Sequence, residues 1–171
     1  MTRFEPVPSS ETYKMHTEAA ADTAMTLQSI RDFSGYSVTE AVRRVLACHK
    51  LFEDTRAMGG LLLADAGQLE VLAPPVEELR TSDQKYARVN IQVNLASKDY
   101  LAPRTNEEDD HDLVNFWHSA VSFYSRLNER QTLGQRFWQV RPGANLKIER
   151  YVFFFDSDAP QPKRRRWHGG A

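Results

Sequence analysis

The alternation of apolar and polar positions is sharpest over residues 37–60. Val38, Val42, Val45, His49 and Phe52 recur at four- and three-residue spacing, and Ala41, Leu46 and Cys48 widen the stripe. That period marks one face of a helix. Arg43, Arg44, Lys50, Glu53, Asp54 and Arg56 take the opposite side. Ser37 is suited to cap the first turn, Glu40 three residues on completes a capping box, and Gly59-Gly60 supplies the stop. Upstream, Ala20, Ala24, Leu27 and Ile30, extended by Met25 and Phe33, predict a helix over about 19–33 that Gly35 ends. Residues 13–18 alternate in character and read as a short strand. Downstream, 61–65 and 68–72 flank Ala66-Gly67 and predict a β-hairpin that Pro74-Pro75 terminates.

A second series of elements begins at Tyr86. Val89, Ile91, Val93 and Leu95 alternate with Arg88, Asn90, Gln92 and Asn94, which predicts a strand over 88–95 with one apolar and one polar face. Residues 97–101 begin a helical turn that Pro103 stops. A long helix follows over about 112–133, its apolar side carried by Leu113, Phe116, Trp117, Ala120, Val121, Tyr124 and Leu127. Gly134 ends it, and 136–140 and 146–155 read as a second hairpin around Pro142-Gly143. Sliding the sequence by 75 positions places Val38 on Leu113, Val45 on Ala120 and Gly59 on Gly134. Both halves then share one order of elements, the pattern of a diverged tandem duplication. The expected organisation is a flexible arm over 1–12, a first unit over 13–75, a polar linker over 76–85, a second unit over 86–156 and a disordered basic tail over 157–171. The fold class is α+β, with a mostly helical core and a hairpin after each unit.

Charge sharpens this picture. The chain carries a net charge of −1, yet Lys163, Arg164, Arg165 and Arg166 concentrate four cations in the tail and leave the body acidic. A basic body would by itself indicate nucleic acid, and this body is not basic. Cys48 is the single cysteine, which excludes an internal disulfide and a cysteine zinc cluster. No apolar run approaches the roughly 18–20 residues of a membrane span, and 1–12 lack the apolar core of a secretory signal. These features lead to the expectation of a cytoplasmic protein. There is no glycine-rich phosphate loop, no nucleophile elbow and no HExxH, so no enzyme and no cofactor are expected. His111 and His118 lie near Asp109, Asp110 and Asp112, but an acidic capping loop with two unrelated histidines accounts for them more simply than a metal site.

The run Ser37-Val38-Thr39-Glu40-Ala41-Val42-Arg43-Arg44-Val45-Leu46, with Gly35 just ahead of it and 27–33 before that, resembles the join between the two helices of ribbon-helix-helix proteins of the Arc/MetJ/CopG-like superfamily. In the second unit, 88–95 followed by Ala96-Ser97-Lys98-Asp99-Tyr100 resembles the same family. The resemblance implies an obligate dimer or higher oligomer in which two strands pair into a ribbon that enters the DNA major groove. Arg88, Asn90, Gln92 and Asn94 would then read base edges, since Arg pairs with guanine and Asn or Gln with adenine through two hydrogen bonds. Ser37, Val38 and Thr39 would hold a phosphate at a helix N-terminus. The basic tail, Lys163 to Arg166, would add affinity for the nucleic-acid backbone. Two features run against this reading: the acidic residues Glu107 to Asp112 before the second long helix, and Glu18 in the first strand. The alternative is a non-catalytic assembly or adaptor protein, with the aromatic second half in contact with a protein partner.

Overall fold

The two halves of the chain meet through antiparallel strand pairing, twice. The computed structural model describes residues 2–8, 10–76, 85–105, 111–141 and 147–151. The elements are β1 (Arg3–Pro6), β2 (Thr12–Ala20), α1 (Ala21–Ser34), α2 (Val38–Ala57), β3 (Leu61–Asp65), β4 (Leu69–Leu72), β5 (Tyr86–Asn94), α3 (Leu95–Leu101) with a 3₁₀ turn at Ala102–Arg104, α4 (His111–Thr132), β6 (Arg136–Arg141) and β7 (Lys147–Tyr151). The fold is mixed α+β. One sheet has the order β1-β2-β5 and the other β4-β3-β6-β7. The 157–171 tail, residues 142–146 and 152–155 of the second expected hairpin and most of the 76–85 linker lie outside the described residues.

Each sheet is centred on a contact between the halves. β2 pairs with β5 from Thr12 opposite Asn94 to Ala20 opposite Tyr86. β3 pairs with β6 from Leu61 opposite Val140 to Asp65 opposite Arg136. In the first sheet Met15 faces Ile91, 76 positions on. In the second Leu63 faces Trp138, 75 positions on. Both pairings are thus centred on residues separated by nearly the same number of positions, as an approximate twofold between the halves would require.

The helices fill the space between the sheets. The α2 stripe of Ala41, Val42, Val45, Leu46 and Cys48 is buried against Leu113, Trp117, Ala120, Val121 and Tyr124 of α4. Met15, Ile91 and Val93 cover this core from the first sheet, while Leu62, Ala64 and Phe137 cover it from the second. Burying each large aliphatic side chain contributes roughly 1.5–3 kcal/mol. Burial also holds the Cys48 thiol far above its usual pKa, as fits a packed core group. Three polar contacts then tie elements together. Gln139 Nε2 donates to Thr55 Oγ1 at 2.8 Å inside the core. Thr23 Oγ1 and His118 Nδ1 lie 3.3 Å apart between α1 and α4. Arg130 grips the Glu70 carboxylate at 2.7 and 2.8 Å.

Local structure departs from the sequence pattern at several places. Met25 and Phe33, expected to extend the apolar face of the first helix, are 67% and 96% exposed; Ala19 and Ala20 belong to β2; and Leu95 opens α3 and is exposed. Residues 3–6 form β1 instead of an arm, because Phe4 reaches the core and the strand adds to the edge of β2. The capping box at α2 is half made: Ser37 Oγ accepts from the Glu40 amide at 3.1 Å. The Glu40 carboxylate is taken by Arg43 and Arg44. Arg44 itself, expected on the solvent side, is only 3% exposed and stacks on Tyr36 with its guanidinium carbon 4.2 Å from the ring centre.

Gly60 marks where α2 turns into β3 against β6. A Cβ there would lie 2.8 Å from the Val140 carbonyl oxygen and 2.9 Å from Thr55 Cγ2. Neither neighbour can yield cheaply, since one is backbone in the ladder and the other a buried β-branched residue. Gly60→Ala is expected to destabilise the protein by about 1–3 kcal/mol. Urea unfolding followed by circular dichroism checks this. An unchanged midpoint would show that the β3–β6 junction has slack.

Candidate functional site

The pleat of the ribbon sorts its side chains. Val89, Ile91 and Val93 turn toward the helices, so Arg88, Asn90, Gln92 and Asn94 face outward and all four are exposed. β2 places Lys14 opposite Gln92, His16 opposite Asn90 and Glu18 opposite Arg88. β1 then widens the same face, with Arg3 opposite His16 and Glu5 opposite Lys14. The surface is mixed in charge. Arg3 pairs with Glu5 at 3.1 Å, and His16 Nε2 lies 3.7 Å from the other Glu5 oxygen.

The four strand residues are not equivalent. Asn90 Oδ1 lies 2.7 Å from His16 Nδ1 across the strands. Asn94 Oδ1 accepts from the Ser97 amide at 2.8 Å and so caps α3. Its side chain serves the helix start, a role its place at the end of an alternating strand conceals in the sequence. Arg88 and Gln92 have no side-chain hydrogen bond or ion pair among the described residues.

The start of α2 adjoins this ribbon. Thr39 and Arg43 share a recess of about 100 Å³ with Thr12, Gln92, Asn94 and Ser97. Ser37 and Thr39 are thus at the helix start beside the end of the ribbon, whereas Val38 packs against the core. Burial raises the Glu40 carboxyl pKa, but hydrogen bonds from Arg43 and Arg44 outweigh that and hold it below the usual value. A carboxylate therefore stands in the first turn beside the amides expected to hold phosphate. Lys163 to Arg166 lie outside the described residues, as does the acidic loop at 106–110; the side chains of His111 and Asp112 are likewise outside them. Of the aromatic second half, Trp117, Phe123, Tyr124 and Phe137 are buried in the core.

A second arrangement was missed in the sequence. The sequence pattern sets His49 in an apolar stripe and Glu53 on the opposite side, yet the two line a cleft of about 970 Å³ with Arg104 and Phe116, and Tyr100 bonds to both. The Tyr100 hydroxyl donates to Glu53 Oε2 at 2.7 Å, and His49 Nδ1 lies 2.8 Å from that hydroxyl. The hydroxyl proton is committed to Glu53, so the hydroxyl accepts the Nδ1 proton of His49 and leaves Nε2 as the acceptor of a neutral ring. Arg104 binds both Glu53 oxygens at 2.7 and 2.8 Å, donates to the Tyr100 carbonyl and lies over the Tyr100 and Phe116 rings. His49 meets Phe116 edge-on with centroids 4.8 Å apart. The available signal was a pair of four-residue spacings, His49 to Glu53 and Tyr100 to Arg104. Each is ordinary alone, and only the fold brings them together.

The electrostatics follow from burial and partners. Burial lowers the His49 pKa; Glu53 opposes this and Arg104 reinforces it. Burial raises the Glu53 pKa, but hydrogen bonds from Tyr100 and Arg104 bring it below the usual carboxylate value. Burial and the bond to Glu53 push the Tyr100 phenol well up. No group of three or more His, Cys, Asp or Glu residues among those described is placed to hold a metal ion. No helix among them is long and apolar enough to cross a membrane.

No family model, no curated protein and no solved structure matches this chain.

A pH dependence follows from His49. Its folded pKa is depressed, so the unfolded chain binds the proton more readily. The stabilisation is full above the ordinary histidine value of 6.5 and is lost as pH falls below it toward the lower folded pKa. Glu53, also depressed, adds a loss of the same sign at more acid pH. Urea midpoints at pH 7.5 and 5.5 are expected to fall for the native chain and to fall less for His49→Gln. Equal slopes for the two proteins would show that His49 does not titrate across folding.

Proposed function

We propose that this chain is a DNA-binding protein of ribbon-helix-helix type that carries both halves of the binding unit in one polypeptide, and acts as a transcriptional regulator or antitoxin-like repressor. The observation that carries the proposal is the pairing of β2 with β5 over their full lengths, with alternate side chains outward and the start of α2 beside the ribbon end. In this reading β2-α1-α2 and β5-α3-α4 are the products of a tandem duplication. α2 and α4 bury their apolar faces on each other within one chain, so the place of a second subunit is taken internally.

Arg88 and Gln92 are the base-reading residues in this proposal, because their polar groups are not engaged within the described fold. Asn90 contributes after giving up His16, and Asn94 remains a helix cap. The third strand sets the approach. Strands lie about 4.8 Å apart, and a major groove about 12 Å wide admits a two-stranded ribbon. β1 therefore stays at the groove wall and β5 enters as the leading edge. Thr39 and its neighbouring amides lie beside the phosphate backbone, and Lys163 to Arg166 add affinity without sequence preference.

A second reading, a non-catalytic assembly or adaptor protein, is favoured by one observation: Glu5 and Glu18 share the outward face with Arg3, Lys14 and Arg88. Fluorescence anisotropy with a random duplex pool at low salt, followed by selection, separates the two. On a selected sequence the double substitution Arg88→Ala/Gln92→Ala is expected to weaken binding about tenfold or more. A chain ending at Pro162 is expected to weaken binding to all sequences and flatten the salt dependence. Native affinity in the double variant would refute base reading by β5 and leave the adaptor reading.

A further inference from the structure

The cleft between α2, the 3₁₀ turn and α4 owes its existence to an inequality between the halves. α1 runs from Ala21 to Ser34 and packs on α2 and α4. Its counterpart α3 stops at Leu101, and Pro103 turns the chain away. Among the described residues, the space a longer helix would fill is open beside His49 and Phe116. At about 970 Å³ it has the size of a small-molecule site.

Its chemistry is divided by position. The floor holds His49, Glu53 and Arg104, with the Glu53 charge offset by Arg104 and the Tyr100 hydroxyl joining His49 to Glu53. The walls are apolar and stiff: Phe52 and Ala57 on one side, Pro74 and Pro75 on another. The proline wall is fixed to α4, because the Ser119 hydroxyl donates to the Pro75 carbonyl at 2.8 Å. Arg56 stands at the rim, one turn beyond Glu53, and its side chain has no partner among the described residues. The site thus offers flat apolar walls, one uncommitted cation at the rim, and on the floor a neutral imidazole.

We infer that this cleft binds a small aromatic carboxylate, with its ring between Phe116 and the Pro74-Pro75 wall and its carboxylate on Arg56. Apolar walls hold the ring, and a ligand of this class needs only one cation, which the rim supplies. An ammonium-bearing ligand would meet Arg56 and lose by repulsion, while the Glu53 carboxylate is already committed to Arg104. A second carboxylate would find no uncommitted cation among the lining residues. The inference is separate from the ribbon and holds whether or not the ribbon reads DNA.

The test uses the full chain and two probes of one shape, 2-naphthoate and the neutral 2-naphthamide, titrated with the imidazole resonances of His49 followed by NMR. Both probes are expected to bind and shift His49, with naphthoate the tighter. Arg56→Gln is expected to weaken naphthoate about threefold to fivefold, the range of an exposed ion pair, and to leave naphthamide unchanged. Ala57→Trp fills the cleft and is expected to abolish both; its circular dichroism and urea midpoint establish that it still folds. Failure of naphthoate to shift His49 at millimolar concentration would overturn the site. Equal affinity of the two probes, or native naphthoate affinity in Arg56→Gln, would overturn the assignment of a carboxylate ligand.

Discussion

The pairing of β2 with β5 is the constraint on which the rest of the structure depends. The strands are separated by two helices and a hairpin, but the entropic cost of closing such a loop grows only slowly with its length. The register is what matters. With Met15 opposite Ile91, the residues Met15, Thr17 and Ala19 on one strand and Ile91 and Val93 on the other lie under the helices. A slip of one position would turn these to solvent and bring Lys14, His16 and Gln92 into the core. The buried apolar set thus selects a single register. That register places α2 on α4 and brings β3 alongside β6, so the second sheet is a consequence of the first.

From that frame the halves diverge where their first helices differ in length. On one side α1 is long enough to pack on both long helices, and Thr23 meets His118 there. On the other, α3 ends early and the polar groups of α2 that would have met a helix are left to meet Tyr100 and Arg104. A buried polar side chain without a partner costs about 1–3 kcal/mol. The hydrogen bonds among His49, Glu53, Tyr100 and Arg104 avoid that cost and hold the short helix against α2. Packing alone would do this poorly, because a seven-residue helix has little apolar surface to bury.

Local signals accounted for the elements. The period of Val38, Val42 and Val45, the alternation of 88–95 and the glycine turn at Gly67 each correspond to an element in the structure. What could not be read locally is who pairs with whom. Strand alternation says which face is apolar, not which strand lies beside it. The union of the halves in one chain therefore appears only in the register. β1 escaped for a related reason: Arg3 to Pro6 is too short to show a period, and it is a strand because Phe4 finds the core. The candidate sites divide in the same way. Arg88, Asn90, Gln92 and Asn94 were legible as an exposed row, but the engagement of Asn90 by His16 and of Asn94 by Ser97 is tertiary or capping geometry. His49 and Glu53 come from α2, and Tyr100 and Arg104 from α3 and its 3₁₀ turn 51 positions on, so no local spacing joins the two pairs.

Arg44 shows how a charge can serve placement. It is 3% exposed, so its desolvation is costly, and the ion pair with Glu40 at 2.8 Å and the Tyr36 ring both work against that cost. Replacing such a group by an apolar one of similar size is often neutral for stability. Its effect lies in geometry. Glu40 is held by Arg43 and Arg44 together, Arg44 is held by Tyr36, and Ser37 caps the same turn. The first turn of α2 is therefore fixed from three directions, and with it Thr39 and Arg43 beside the ribbon. The same helix carries His49, Glu53 and Arg56 some three turns further on. A rigid helix of 20 residues spans about 30 Å, so α2 sets the positions of both surfaces at once, one from each end.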